Sequence, residues 1–224
     1  MPYLYVVRHG QPDFTGHYDS LTPLGEQQST WLGEHLAARG LRFARVVCGT
    51  LQRQVATCDL ILAQLEGSSP RSQDAGLNEY DHASLLNFFE GERVQQLRIA
   101  GDRRGYFTAI RHALQAWAQH DGPIANGESW AEFGRRIEAA VVAACAGLQR
   151  DDNVLLVSSG GVIGRLVSTV LGAGPEAAVQ LNLQVRNTGV TEIVWPGSSP
   201  PRLATFNTIA HLERADRSHA VTFA

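Results

Sequence analysis

A cation and an imidazole directly follow an apolar segment near the start of the chain. Residues 3–7 are all apolar or aromatic, and Arg8, His9 and Gly10 come next. Two interpretations are open: the segment is a strand that has reached the surface, or its end carries chemistry. Arginine binds planar oxyanions through paired hydrogen bonds, so the second interpretation favours an anionic ligand.

Three other short motifs contain residue types that suit the same kind of site. Ser159 and Gly160, in the motif SSGG, follow a second apolar segment, and glycines that precede a helix leave backbone N–H groups free to bind an anion. Arg53 lies early in a helix after a third apolar segment, and Glu79, in the motif GLNEYD, offers a carboxylic acid. Each motif alone is common in turns and at surfaces. Together they predict an anion site, with phosphate as the candidate.

These residues share a site only if the preceding elements form one sheet. Apolar segments rich in β-branched residues alternate with segments of helical periodicity, and this alternation predicts an α/β fold with a mostly parallel sheet. Ligands of such folds bind at the carboxyl ends of the strands, where all four motifs are expected. The predicted strands are 3–7, 43–48, 154–157, 181–186, 190–195 and 202–206, and the predicted helices are 23–39, 51–65, 130–148 and 162–171.

The segment 81–122 breaks this alternation. It is polar and has helical periodicity, so we interpret it as a helical insertion within a single domain that spans residues 1–224. Two roles are open for it: a cap over the site, or a solvated flap without influence on substrate choice. This segment and the loop 12–19 are the expected determinants of specificity, but neither contains a pattern that identifies the substrate.

Composition excludes several classes of function. The net charge is −3, which gives no reason to expect nucleic acid or an anionic membrane as partner, and all 19 basic residues are arginine, which excludes lysine chemistry. No apolar run is long enough to span a bilayer and the N-terminus does not resemble a secretory signal, so a cytoplasmic location is expected. The cysteines Cys58 and Cys145 lie on apolar helical faces and are predicted to be buried free thiols.

The motifs resemble those of the histidine phosphatase superfamily, the phosphoglycerate mutase-like group. VVRHGQ, SLTPLGEQQ, VVCGTLQRQVAT, GLNEYD and VLLVSSGGVIG occur in the order of the family and cover nearly the whole chain. The resemblance implies a three-layer sandwich in which helices flank the central sheet. It also implies hydrolysis of a small phosphorylated substrate without a metal ion or other cofactor, and we find no HExxH motif or carboxylate cluster that would bind a metal.

The resemblance also implies a role for each matching residue. His9 would be the nucleophile that takes the phosphoryl group, and Arg8 and Arg53 would bind the phosphoryl oxygens. Glu79 would protonate the leaving oxygen and then activate water. Ser159 and the backbone of Gly160 would complete the phosphate site.

One position departs from the family pattern. The family usually has Ser-His-Gly after the later strand, and this chain has Ser159 where that second histidine stands. A serine offers a neutral hydroxyl and a shorter reach. Loss of one preorganised donor typically costs a factor of about 10²–10³ in rate, so reduced activity is expected.

Several alternatives remain open at this stage. The first is a phospho-ligand-binding protein on the same fold that has lost turnover, although such a protein has no use for Glu79 as an acid. A phosphoglycerate mutase ranks below the hydrolase and the binding protein, because a weakened pocket is poorly suited to a bisphosphorylated intermediate. A degraded dinucleotide motif formed by Ser159, Gly161 and Gly164 ranks lowest, because its first glycine is missing. The sequence leaves the oligomeric state open.

Overall fold

The protein is built on one six-stranded sheet, seen in a computed structural model that describes residues 1–13, 19–99, 102–197 and 199–223. The strands are β1 (Tyr3–Arg8), β2 (Arg45–Cys48), β3 (Arg71–Gln73), β4 (Asn153–Ser158), β5 (Val190–Val194) and β6 (Arg202–Thr208). Their order across the sheet is β3-β2-β4-β1-β5-β6. The first four of these are mutually parallel, and β5 runs antiparallel to both of its neighbours. The prediction of a mostly parallel sheet is confirmed.

Helices cover both faces of the sheet. Those in the described part of the chain are α1 (Pro23–Ala38), α2 (Gln52–Leu62), α3 (His82–Phe89), α4 (Glu92–Ile99), α5 (Arg103–Gln119), α6 (Trp130–Cys145), α7 (Gly160–Val170) and α8 (Pro175–Asn182). In β1, Leu4 and Val6 pack in the core shared with α6 and α7, whereas Tyr5 and Val7 pack in the core shared with α1 and α2. Alternate side chains of a strand point to opposite faces, so an entirely apolar strand fills two cores and creates three layers.

Local sequence signals fix the ends of several helices. Thr22 is the N-cap of α1, its hydroxyl accepts a hydrogen bond from the N–H of Gly25 at 3.0 Å, and Pro23 occupies the first helical position. Gly40, with φ of +68°, follows the end of α1 in the left-handed conformation that glycine adopts without strain. Both signals were recognised in the sequence.

The structure contradicts one predicted strand and shortens other elements. Residues 181–186 do not form a strand: Pro175 begins α8, which continues to Asn182, and Arg186 makes only an isolated bridge with Phe223. The apolar residues of this segment fit a short buried helix as well as a strand, so periodicity could not separate the two. The helices predicted over 51–65 and 130–148 end at Leu62 and Cys145.

The segment 81–122 contains α3, α4 and α5, and the buried apolar side chains of these helices join the main core. Leu85 and Leu114 are 1% exposed, and Trp117 donates a hydrogen bond from its indole N–H to the carbonyl of Glu128 at 2.9 Å. The segment is therefore packed on the sheet domain. Its role as a cap over the site stays a prediction.

Two other features of the fold are the state of the cysteines and the length and polarity of the helices. Cys58 and Cys145 are buried free thiols, as predicted, and Cys48 is a third. Within the described ranges, none of the helices is both long enough and apolar enough to cross a bilayer.

Candidate active site

The topology brings the carboxyl ends of β1, β2 and β4 to the same edge of the sheet. β1 and β4 are adjacent and parallel, and Arg8 lies opposite Ser158 in the register. His9 follows β1, α7 begins at Gly160 two residues after the end of β4, and Arg53 lies in the first turn of α2, five residues after Cys48 at the end of β2. All three sequence motifs therefore open on one edge.

The imidazole of His9 has a defined orientation and protonation state. Its Nδ1 lies 2.7 Å from the carbonyl oxygen of Gly10, and its Nε2 lies 3.2 Å from Nε of Arg53. A carbonyl can only accept and a guanidinium can only donate, so Nδ1 carries the proton and Nε2 presents a lone pair. Burial and the nearby charges of Arg53 and Arg8 lower the pKa of His9 well below its usual value, which maintains this neutral form.

Two buried guanidinium groups approach this imidazole. Arg8 and Arg53 are only 5% and 4% exposed. Arg53 also donates from Nη1 to Oδ1 of Asp19 at 2.8 Å, and the other oxygen of Asp19 accepts from the N–H of Gln52. Arg8 donates from Nη1 to the carbonyl oxygen of Val185. Protein groups thus fix the direction of both cations before any anion binds.

Gly160 and Gly161 allow other groups to approach the start of α7 closely. A Cβ atom at Gly160 would lie 2.6 Å from Oδ1 of Asn182 and 3.8 Å from Cζ of Arg8. A Cβ atom at Gly161 would lie 2.3 Å from Oε1 of Glu79. Neither position has room for a side chain, so the helix N-terminus meets Arg8 on one side and Glu79 on the other.

The carboxyl group of Glu79 accepts a hydrogen bond from the N–H of Gly161 at 2.9 Å. Burial raises its pKa, although that backbone bond and the charges of Arg53 and Arg8 oppose the shift. A carboxyl group with a raised pKa keeps its proton to higher pH, as a general acid requires.

Ser159 has a contact that the sequence did not suggest. Its hydroxyl oxygen accepts a hydrogen bond from Nε2 of Gln54 at 2.8 Å, and both residues are fully or almost fully buried. The side chain of Ser159 does not cap α7, although the residue occupies the N-cap position.

Sequence reasoning missed Asp19, Gln54 and His82. Burial and the charges of Arg53 and Arg8 lower the pKa of His82 to about 4, so its ring is neutral near pH 7 and within electrostatic reach of both arginines. The signal available for His82 was its position three residues after Glu79. Gln54, directly after Arg53, has no comparable signal, because glutamine early in a helix is ordinary.

Two other possible sites fit a phosphoryl group less well. A cavity of about 210 Å³ beside Glu79 has carboxylates as its charged lining, and neither Arg8 nor Arg53 faces it; its lining is Glu79, Tyr80, Asp81, Leu85, Trp117, Ile124, Gly127 and Glu128. Gly161 and Gly164 of the dinucleotide alternative pack closely against Glu79 and the backbone of Ala178, so protein groups fill the space that the missing side chains leave. In the part of the chain that the structure describes, no three His, Cys, Asp or Glu side chains form a metal-binding group.

The geometry therefore combines a neutral imidazole whose Nε2 carries no proton, two fixed cations, a helix N-terminus and a carboxyl group of raised pKa. Such an arrangement can bind a phosphoryl group and supply both a nucleophile and an acid. Comparison with known protein families gives the same class. Residues 4–208 match the model of the histidine phosphatase superfamily (branch 1), and the chain belongs to this superfamily.

Individual relatives cover almost the whole chain. It is 32% identical over 202 residues to the probable phosphoglycerate mutase GpmB of Salmonella arizonae, an alignment that covers 87% of this chain and 86% of that protein. Bacillus stearothermophilus YhfR shares the fold, with a TM-score of 0.72, 24% identity and coverage of 95% and 100% of the two chains. A putative alpha-ribazole-5'-P phosphatase from Escherichia coli is similar with a TM-score of 0.67 and 25% identity, over 93% of this chain and 97% of that one.

Proposed function

We propose that the protein is a phosphomonoester hydrolase that acts through a phosphohistidine intermediate on His9. One observation carries this proposal: Nε2 of His9, the nitrogen without a proton, faces Nε of Arg53 at 3.2 Å. The lone pair therefore points to the place where a guanidinium would hold a phosphoryl group. Two of the named relatives support the class of chemistry, because one is described as a probable phosphoglycerate mutase and the other as a putative alpha-ribazole-5'-P phosphatase.

In the first step, Nε2 of His9 attacks phosphorus and the ester P–O bond breaks. Nε of Arg53 gives up its hydrogen bond to Nε2 when the P–N bond forms, and its N–H becomes available to a phosphoryl oxygen. Arg8 and Arg53 stabilise the negative charge on the transferring group with little reorganisation, since Val185 and Asp19 already orient them. Glu79 donates its proton to the leaving oxygen.

The second step regenerates the enzyme. Glu79, now a carboxylate, removes a proton from a water molecule whose oxygen attacks phosphorus. The P–N bond breaks, inorganic phosphate forms and His9 returns to its neutral state. Charge neutralisation is assigned to the two arginines, so the proposed reaction needs no metal ion or other cofactor.

Ser159 stands where the family usually has a second histidine, and we propose that this lowers the rate. A neutral hydroxyl replaces an imidazole that can carry a positive charge. The expected loss is a factor of about 10²–10³, which slows the reaction without abolishing it.

A phosphate-binding protein without turnover is the second candidate, and the serine at position 159 is the observation that favours it. The raised pKa of Glu79 favours the hydrolase, because an anion-binding site gains nothing from a proton-donating carboxyl group. A mutase is the third candidate, suggested by the probable phosphoglycerate mutases among the relatives.

Trapping the intermediate tests these candidates directly. The purified protein is incubated with p-nitrophenyl phosphate, quenched and analysed for an acid-labile, base-stable phosphoryl adduct. We expect the adduct on His9 and a loss of turnover on the order of 10⁴-fold in His9→Ala. The matched control, His219→Ala at an exposed histidine, should keep both. Full turnover in His9→Ala would show that the nucleophile is misassigned.

Assays of substrates then separate the three functions. A hydrolase releases inorganic phosphate from a panel of small phosphomonoesters. A mutase interconverts phosphoglycerates, and a binding protein shows phosphate affinity with neither activity.

A further inference from the structure

The hydrogen bond between Gln54 and Ser159 has a fixed direction. Nε2 of Gln54 lies 2.8 Å from Oγ of Ser159 and 3.2 Å from the carbonyl oxygen of Leu77. A carbonyl oxygen only accepts hydrogen bonds, so the Gln54 atom between these two groups must be the amide nitrogen. Rotating the amide would bring two carbonyl oxygens together. Ser159 is therefore the acceptor in this bond, and the proton of its hydroxyl is left for another partner.

The surroundings of Gln54 are shaped for this orientation. Gly49 makes room for the amide, because a Cβ atom there would lie 1.9 Å from Oε1 of Gln54. That Oε1 is buried and accepts no hydrogen bond from the residues that the structure describes. An unsatisfied buried oxygen is costly, so the contacts of the amide nitrogen determine the orientation.

The hydroxyl proton of Ser159 has no acceptor within the part of the protein that the structure describes. Across the described ranges, Oγ of Ser159 has no hydrogen-bond partner except Gln54, and it does not cap α7. The next residue, Gly160, lies beside the guanidinium of Arg8. A phosphoryl oxygen held by Arg8 would therefore lie near a hydroxyl that still has a proton to donate.

We propose that Gln54 is a positioning residue that keeps the hydroxyl of Ser159 as a hydrogen-bond donor to the phosphoryl group. The inference rests on the proposed function. Gln54 does not touch the substrate; it occupies the acceptor position of Ser159 so that the single proton of this hydroxyl is directed into the site. A neutral pair of residues thus supplies part of the hydrogen bonding that an imidazole would give.

A double-mutant cycle with Ser159→Ala and Gln54→Met tests the pair. Methionine keeps the length and flexibility of glutamine and removes both amide groups. Each single change should lower kcat for p-nitrophenyl phosphate about tenfold, the size of one hydrogen bond, with a smaller effect on KM. The double variant should be no slower than Ser159→Ala. The proposal would be overturned if the loss of kcat in the double variant equalled the product of the two single losses, or if kcat were unchanged in Gln54→Met.

Gln54→Glu adds a readout that a purely structural role would not change. A carboxylate can only accept, so it would draw the proton of Ser159 away from the site, whereas the protonated carboxyl group can still donate. Turnover relative to the unchanged protein should therefore rise as pH falls in Gln54→Glu and stay constant with pH in Gln54→Met. The same pH-independent ratio in both variants would show that Gln54 only fills space.

Phosphate binding separates failure of this inference from failure of the proposed function. The dissociation constant of inorganic phosphate is measured by calorimetry for all four members of the cycle, with melting temperatures to confirm folding. If the unchanged protein hydrolyses no ester, the proposed function fails and the cycle of dissociation constants still tests the pair. Additive losses in both turnover and binding would overturn the proposed role of Gln54 and leave the proposed hydrolase function standing.

Discussion

The two sides of the candidate site use different physical means to bind an anion. The charged side consists of Arg8, His9 and Arg53, from the end of β1 and the start of α2. The neutral side consists of Gln54, Ser159 and Gly160, where a hydroxyl and a helix N-terminus face the same edge of the sheet. Charges act over several ångströms, whereas a neutral donor contributes only at hydrogen-bond distance and in the right direction.

The charged side therefore mainly attracts the anion, and the neutral side mainly aligns it. The charged side can draw in a phosphate even when its contacts are imperfect. The neutral side contributes only where the amide of Gln54 and the hydroxyl of Ser159 are correctly oriented. We therefore expect changes on the charged side to affect binding and rate together, and changes on the neutral side to affect mainly the rate.

Apart from loss of the nucleophile itself, the largest effect is expected at Glu79, which accepts a hydrogen bond from Gly161 and lies within reach of both arginines. Glu79→Gln should slow alkyl phosphates by about 10²–10⁴-fold and p-nitrophenyl phosphate far less, because only poor leaving groups need the proton. The raised pKa of Glu79 also predicts that alkyl phosphate hydrolysis falls as pH rises through that pKa, and that this dependence disappears in Glu79→Gln. Equal slowing of both substrates would contradict the acid role.

Removing charge next to the nucleophile should have the second largest effect. Arg53→Ala should lower kcat/KM by about 10²–10³-fold and weaken phosphate binding. The pKa of His9 should rise, since the charge of Arg53 is one cause of its depression, so the acid limb of the pH–rate profile should move to higher pH. Arg53→Lys is the control: it should keep the low pKa of His9 without restoring the full rate, because lysine lacks the guanidinium fork. An unmoved acid limb in Arg53→Ala would argue against this coupling.

A histidine at position 159 tests whether the neutral side has repacked. The amide of Gln54 lies 2.8 Å from Oγ of Ser159, so the imidazole in Ser159→His would overlap it. Alone, this change should lower the free energy of unfolding by about 1–3 kcal/mol and give no gain in kcat. In the double variant with Gln54→Ala, the smaller alanine makes room for the imidazole. The kcat of this double variant should be about tenfold or more above that of Ser159→His alone.

Melting temperatures and kcat of the two variants, with Gln54→Ala as control, measure this effect. A stable and faster Ser159→His without any change at Gln54 would show that the neutral side has not repacked.

The smallest effect is the uptake of protons when phosphate binds. Burial and the two arginines depress the pKa of His82 to about 4 and that of His9 well below its usual value. A phosphate dianion offsets those positive charges, so both pKa values should rise on binding and the two histidines should take up protons near pH 6. Calorimetry in buffers of different ionisation enthalpy measures the net proton change, to which phosphate itself contributes equally in the unchanged protein and in His82→Asn. The difference between these two proteins gives the part due to His82, and an identical net change in both would contradict this picture of the charged side.

Local patterns in the sequence predicted most of the fold and the charged side. β1 and β4 are continuous apolar segments because both of their faces are buried, and Thr22 with Pro23 marks the start of α1. Arg8 and His9 were recognisable because charged groups directly after a buried strand are unusual. Such signals lie within a few neighbouring residues, where backbone preference and periodicity act.

The neutral side and the supporting contacts depended on the tertiary structure. Gln54 and Ser159 are 105 residues apart, and Asp19 and Arg53 are 34 residues apart. The sequence predicted a strand where α8 lies, because a short apolar segment takes its conformation from the surface that it packs on. The sequence by itself determined which charged groups reach the sheet edge. Only the tertiary structure decided which neutral partner each group meets, because that depends on the relative positions of elements distant in the chain.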